Sequence, residues 1–286
     1  MKDFGHGEST GLEQTVLEKI LTGFVPEDLC ITSSDKDILR HLAERVSAVA
    51  GSVQMQEKCR LWKRHNELEK TQPVILCAPE NGWNEMITEA QMKCTGKISR
   101  RWEMDIRKEL FWAEVMGDDK PVEPYFDIPY TVSADNWGLE TLFHKTHGHG
   151  SYVWDNPIKD YAKDLNKIHT PTFAIDWKTT DGCVELAKDI FGDILTVRLK
   201  GCWWWSLGLT LPAVMLRGLS NIFMDFIEHT DELKELLSII SRGYMQKLGY
   251  LEDNNLLSLN NDGTYVYEPV RFQDKCFEDV RTEWGS

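Results

Sequence analysis

The stretch Pro73-Val-Ile-Leu-Cys-Ala-Pro79 is a continuous apolar run that breaks straight into the polar turn Glu80-Asn81-Gly82-Trp83. A short unbroken apolar run is the pattern of a strand covered on both faces. The rhythm returns further along. Phe173–Trp177 reads as a short strand, and Asp181–Phe191 reads as a helix closed by Gly192. Ile194–Lys200 then alternates, with Leu195, Val197 and Leu199 on one face and Thr196, Arg198 and Lys200 on the other. Leu256–Leu259 forms another short strand that runs into Asn260-Asn261-Asp262-Gly263. Strand, polar turn and helix in repetition mean β/α units with parallel strands. No GxGxxG or GxxxxGK[ST] follows any strand, which sets aside a dinucleotide or P-loop fold. The fold class expected is therefore α/β, of the (β/α)8 TIM-barrel type, with the polar side chains at strand C-termini forming the active face.

Helical signals surround these strands. Ser34 is expected to cap a helix carrying Ile38, Leu42, Val46 and Val49, which Gly51 stops. A second helix is expected over Val53–Leu68, and others over Arg101–Met116, Leu211–His229 and onward from Thr230. The last has the apolar stripe Leu233, Leu236, Leu237, Ile240, Tyr244, Leu248 and Leu251. Leu12, Val16, Ile20 and Leu21 carry a short helical pattern near the start. The division expected is an N-terminal helical extension over residues 1–70 and a partial β/α barrel over 71–286. About four β/α units are counted, so the chain is expected to hold the N-terminal half to two-thirds of a barrel.

Charge narrows the partners. Thirty-two Lys and Arg against 46 Asp and Glu leave a net charge of −14. Neutralising phosphates needs basic surface, so broad contact with nucleic acid is not expected, nor is binding to an anionic membrane. Apolar runs such as 73–79 fall far short of the roughly 20 residues of a membrane span, and MKDFGHGEST has no apolar signal segment. The seven cysteines are widely spaced with no CxxC, the pattern of reduced, mostly buried thiols in a cytoplasmic protein.

Four constellations could carry chemistry. Arg198 and Lys200 share one strand face; aimed at an interior, two cations call for an anion such as a carboxylate or phosphate, while the other readings are a solvated basic face on an edge strand or pairing with acidic residues from neighbouring strands. Trp203, Trp204 and Trp205 suit a cleft that stacks a planar or apolar ligand, or a lid packed within the fold. Glu80, Asn81 and Trp83 end the first strand, and Asn260, Asn261 and Asp262 end the last, so a barrel would bring them to one mouth. Two carboxylates there suit proton transfer, although Asn-Asp-Gly is also simply a good turn. His144, His147 and His149 fall within six residues and could bind a divalent ion or lie on an exposed loop. The expected catalytic carboxylates are Asp262 and Glu80. The expected substrate-binding side chains are Asn81, Trp83, Arg198, Lys200, Trp203, Trp204, Trp205, Asn260 and Asn261.

Four blocks, Leu61-Trp-Lys-Arg-His-Asn-Glu-Leu68, Pro79-Glu-Asn-Gly-Trp-Asn-Glu85, Val197-Arg-Leu-Lys-Gly-Cys-Trp-Trp-Trp-Ser206 and Leu257-Ser-Leu-Asn-Asn-Asp-Gly-Thr264, resemble an anaerobe branch of the uroporphyrinogen decarboxylase superfamily. The resemblance runs over about residues 36–265. It implies a (β/α)8 barrel and methyl transfer between a corrinoid carrier and a thiol or related acceptor. It also implies zinc and a corrinoid as cofactors, with the zinc ligands of the methyltransferase relatives coming from a later half that this chain lacks. Alternatives it leaves open are decarboxylation of a carboxylated tetrapyrrole, with Asp262 stabilising a protonated pyrrole, and a non-catalytic truncated binding remnant. The partners implied are a small anionic or tetrapyrrole-related ligand and a corrinoid protein. Because an open barrel exposes strand edges, a homodimer is expected as well.

Overall fold

The computed structural model describes residues 24–79, 82–134, 137–139, 141–145, 152–201 and 208–257. In chain order its longer elements are α1 (Ser33–Ala50), α2 (Val53–Asn66), α3 (Lys97–Phe111), β1 (Tyr125–Ile128), β2 (Val132–Ala134), β3 (Leu142–Lys145), β4 (Tyr152–Asp155), β5 (Phe173–Ile175), α4 (Trp177–Phe191), β6 (Thr196–Leu199), α5 (Thr210–Arg217), α6 (Leu219–Glu228) and α7 (Thr230–Asp253). The protein is mixed α/β. The described strands lie in three two-stranded sheets: β1 with β6 is parallel, while β2 with β5 and β3 with β4 are antiparallel. A closed parallel barrel is not among these pairings. The described chain divides into two compact units, one over residues 24–131 and 177–201, the other over 132–176 and 208–256.

The first unit is a helical layer against the parallel pair. In α1, Leu39, Leu42, Ala43 and Val46 recur at helical spacing and are buried together. Thr32, rather than Ser34, is its N-cap, with Oγ1 accepting from the Asp35 N–H at 3.1 Å. Along α3, Ile98, Trp102, Ile106 and Leu110 form the matching stripe, and α4 adds Cys183, Ala187, Ile190 and Phe191. These side chains close over Phe126, Ile128, Leu195, Val197 and Leu199 from the strands. Trp102, Phe126 and Phe191 form a ring cluster with centroids 4.4–5.8 Å apart. Residues of α1 and α2 thus share one core with α3, α4 and both strands, and contacts divide the chain elsewhere than at residue 70.

Residues 73–79 do not form the doubly buried strand that their composition suggests. Val74 and Leu76 pack on Trp62, whereas Ile75 and Cys77 face outward. Among the described residues, no strand pairs with them; instead, the Ile75 and Cys77 N–H groups donate to the carboxylates of Asp119 (2.8 Å) and Asp118 (2.9 Å). Side-chain acceptors supply what a neighbouring strand would have supplied.

The second unit is built on α7, whose Leu233, Leu236, Ile239 and Ile240 pack with Trp137, Ile158, Tyr161, Leu216 and Ile222. The expected single helix over Leu211–His229 is broken at Gly218, whose φ of +91° is a conformation L side chains rarely adopt. A buried polar network holds the break. Arg217 Nε and Nη2 donate to the two Asp225 carboxylate oxygens at 2.7 and 2.8 Å, and Tyr161 Oη donates to Asp225 at 2.9 Å. Arg217 Nη1 also donates to the Ile158 and Lys159 carbonyls. Thr230, expected as a cap, donates instead to the Phe226 carbonyl, and His229 is the N-cap of α7.

Candidate functional site at the end of the parallel strands

In the first unit the order β1, α4, β6 is a β/α/β arrangement, with residues 132–176 interposed between the first strand and its helix. Parallel pairing aligns Tyr125 with Thr196, Asp127 with Arg198, and Ile128 with Leu199. The pair continues one bond further, Lys200 N–H to the Ile128 carbonyl at 3.0 Å. Beyond β1, the Thr131 N–H donates to Thr180 Oγ1 at 3.0 Å, and Tyr130 meets Trp177 edge-on at 5.8 Å. The carboxyl end of β1 therefore adjoins the first turn of α4, the place where β/α proteins bind their ligands. Burial pushes the Tyr130 hydroxyl above its ordinary pKa.

Strand alternation puts Tyr125, Asp127, Arg198 and Lys200 on the face away from the helices. Arg198 lies across Asp127 in a two-pronged pair, Nε to Oδ1 at 2.6 Å and Nη2 to Oδ2 at 2.8 Å. Its guanidinium also rests on the Tyr125 ring, 3.7 Å from the centroid. For Arg198, the structure shows an acidic partner on the neighbouring strand. Asp127 escapes a search for motifs; its signal is the polar–apolar alternation of Tyr-Phe-Asp-Ile, which puts it on the face of Arg198 once the strands pair.

Trp83, expected as a substrate contact, is core. It begins the single helical turn Trp83–Met86 and packs with Ile87 and Met92, edge-on to Phe111 and Trp112. Glu80, Asn81, Trp203, Trp204, Trp205, Asn260, Asn261 and Asp262 lie outside the described residues, as do His147 and His149. His144 is exposed on the β3–β4 hairpin, its Nε2 2.8 Å from Asp155 Oδ2. That contact holds the Asp155 carboxyl below its ordinary pKa. The described site residues thus reduce to Arg198 and Lys200 at one strand end, joined by Asp127 and Tyr125.

Among the described residues, no group of three His, Cys, Asp or Glu side chains is gathered as a metal would require. Thiol chemistry finds little support in half-buried Cys59 and buried Cys94. Burial, with nearby carboxylates, pushes Cys59 to about 11 and Cys94 to about 12, so both stay protonated near neutral pH. Cys30 and Cys77 are exposed, against the expectation of mostly buried thiols. Among the described residues, no helix is long and apolar enough to cross a membrane. No family model matches the chain, and neither does any curated protein or solved structure.

Proposed function

We propose that this chain belongs to the uroporphyrinogen decarboxylase superfamily, as part of a (β/α)8 barrel, and serves methyl transfer between a corrinoid carrier and a thiol or related acceptor. The observation that carries the reading is the β1–β6 pair: parallel strands whose carboxyl end places Arg198 and Lys200 just before the run Trp203–Trp205. The four sequence blocks named above support the family. Lys200, at the strand end, attracts the anionic part of the substrate. Arg198, its charge met by Asp127 and its guanidinium laid on Tyr125, fixes the strand end beside it. Glu80, Asn260 and Asp262 are assigned the polar contacts to the reacting group.

A corrinoid, when bound, would supply a transferable methyl group. The described residues gather no zinc donor set, and the tryptophans that would face a corrin ring lie outside them. Arg198 and Lys200 act on binding and orientation alone.

The test is turnover of methylcobalamin with a thiol acceptor, followed by cobalamin absorbance and thioether mass. The expected result is methylation that falls at least tenfold in Lys200→Ala with the helical signal retained. Carbon dioxide release from a porphyrinogen without added corrinoid would favour the decarboxylase chemistry instead. Absence of both activities would leave the non-catalytic remnant and refute the enzyme reading.

A further inference from the structure

The helix α6 has two faces of opposite fate. Ile222 and Asp225 point inward and are buried, whereas Leu219, Phe223, Met224, Phe226 and Ile227 are 52%, 63%, 52%, 60% and 83% exposed. Positions 219, 223, 226 and 227 fall at i, i+4, i+7 and i+8, so the outward side chains form one continuous stripe. Rotation of the helix cannot hide that stripe within its own unit. The inward face is held by Asp225, gripped by Arg217 and Tyr161, and a roll would strand that carboxylate.

We infer that α6 forms the core of a two-fold interface between two copies of this chain, through the stripe Leu219, Phe223, Phe226 and Ile227. Area is the first argument. An aromatic side chain presents roughly 150–250 Å² and an aliphatic one somewhat less, so the four side chains of the stripe and the adjoining Met224, at their stated exposures, offer about 500–600 Å². That lies at the upper limit of the largest patch on an ordinary monomer. Paired with its copy, the patch buries about 1,000–1,200 Å² in total, enough for a specific interface before any rim is added.

Charge is the second argument. The molecule carries −14, which opposes self-association over most of its surface. Between residues 219 and 227 the one ionisable side chain is Asp225, which is buried, so the stripe itself has no charge to repel a second copy.

Symmetry is the third. A two-fold axis through the middle of an antiparallel helix pair sets Phe223 of one copy against Phe223 of the other, and Leu219 against Ile227. Glu228 then lies by the amino end of the other copy's α6, where the helix dipole favours an anion.

Sedimentation velocity on the full chain, over ~1–100 μM, tests this in the range where an interface of this size dissociates. The expected result is a dimer that Leu219→Lys and Ile227→Glu each weaken at least tenfold. The double variant, which puts Lys opposite Glu across the axis, should return to within a few-fold of the parent. That restoration separates an interface from misfolding, and far-UV circular dichroism on each variant checks the fold. The inference is overturned if the parent stays monomeric throughout. It is overturned equally if the dimer persists in both single variants, or if the double is no better than they are. A chain that becomes dimeric only on removal of residues 1–23 would also overturn it, by showing that segment to be the occupant of the stripe in the intact protein.

Discussion

Replacing Asp225 with alanine should destabilise the second unit by opening its buried ion pair from one side. The carboxylate is 1% exposed and the Arg217 side chain 10%. The substitution leaves the guanidinium buried with the Ile158 and Lys159 carbonyls and the Tyr161 ring, 4.6 Å from its centroid, as its remaining partners. Breaking a buried pair from one side costs about 3–5 kcal/mol; the surviving carbonyl and ring contacts put the cost near the lower end, ~3 kcal/mol. Arg217→Met strands the carboxylate instead. Burial pushes the Asp225 carboxyl up, and the hydrogen bonds from Arg217 and Tyr161 outweigh it, so its pKa lies below the ordinary 3.8. Without Arg217 that offset shrinks, and the cost is largest near neutral pH. The pair Arg217→Met with Asp225→Leu removes both charges and leaves neutral groups unpaired, at about 1–2 kcal/mol. Hydrogen exchange of the α5 and α6 amides reads the local opening free energy without assuming that the two units unfold together. The reasoning fails if Asp225→Ala costs less than ~1 kcal/mol, or if the double variant costs as much as the two singles added.

Two further outcomes concern the cores. In the first unit, Glu103 is fully buried and accepts from the Lys93 and Cys94 N–H groups and from Arg107, while Asp35 accepts from the Thr95 and Gly96 N–H groups and Ser99 Oγ. In both, burial raises the pKa and these donors more than offset it, leaving Glu103 below 4.5 and Asp35 below 3.8. A depressed folded pKa gives stability that is present above the unfolded value and lost as pH falls through the folded one. The urea midpoint should thus drop steeply below about pH 4.5, and Glu103→Gln should flatten that slope; an unchanged slope would contradict the assignment. In the second unit, a Cβ on Gly243 would stand 2.6 Å from Cη2 of the buried Trp137, whereas one on Gly249 would meet nothing within 4 Å. Gly243→Ala should therefore lower the melting temperature, by overpacking worth about 1–3 kcal/mol. Gly249→Ala should raise it through helix propensity, by up to ~1 kcal/mol, and shifts of the same sign would count against the packing described.

What the sequence makes legible follows from where the forces are local. The stripes on α1 and α7 and the alternation of β6 are written in periods of 3.6 and 2, because one face of each is buried and the other is not. Leu195, Val197 and Leu199 accordingly face the helices, and Arg198 the opposite side. The run 73–79 has the composition of a buried strand, but what its backbone meets is decided 41 to 44 residues later, at Asp118 and Asp119. Arg198 shows the same limit at the candidate site: its alternation names the face, and only parallel pairing with Tyr125–Ile128 supplies Asp127 and so decides what its charge meets. In α6, the apolar residues Ile222, Phe223, Met224, Phe226 and Ile227 are spread around the helix, so their spacing alone does not pick the inward side. The buried pair Arg217–Asp225 decides which side turns inward. A charged residue in an otherwise apolar helix would ordinarily mark the solvent face; here it marks the core, and the hydrophobic side is left outside for a partner to cover.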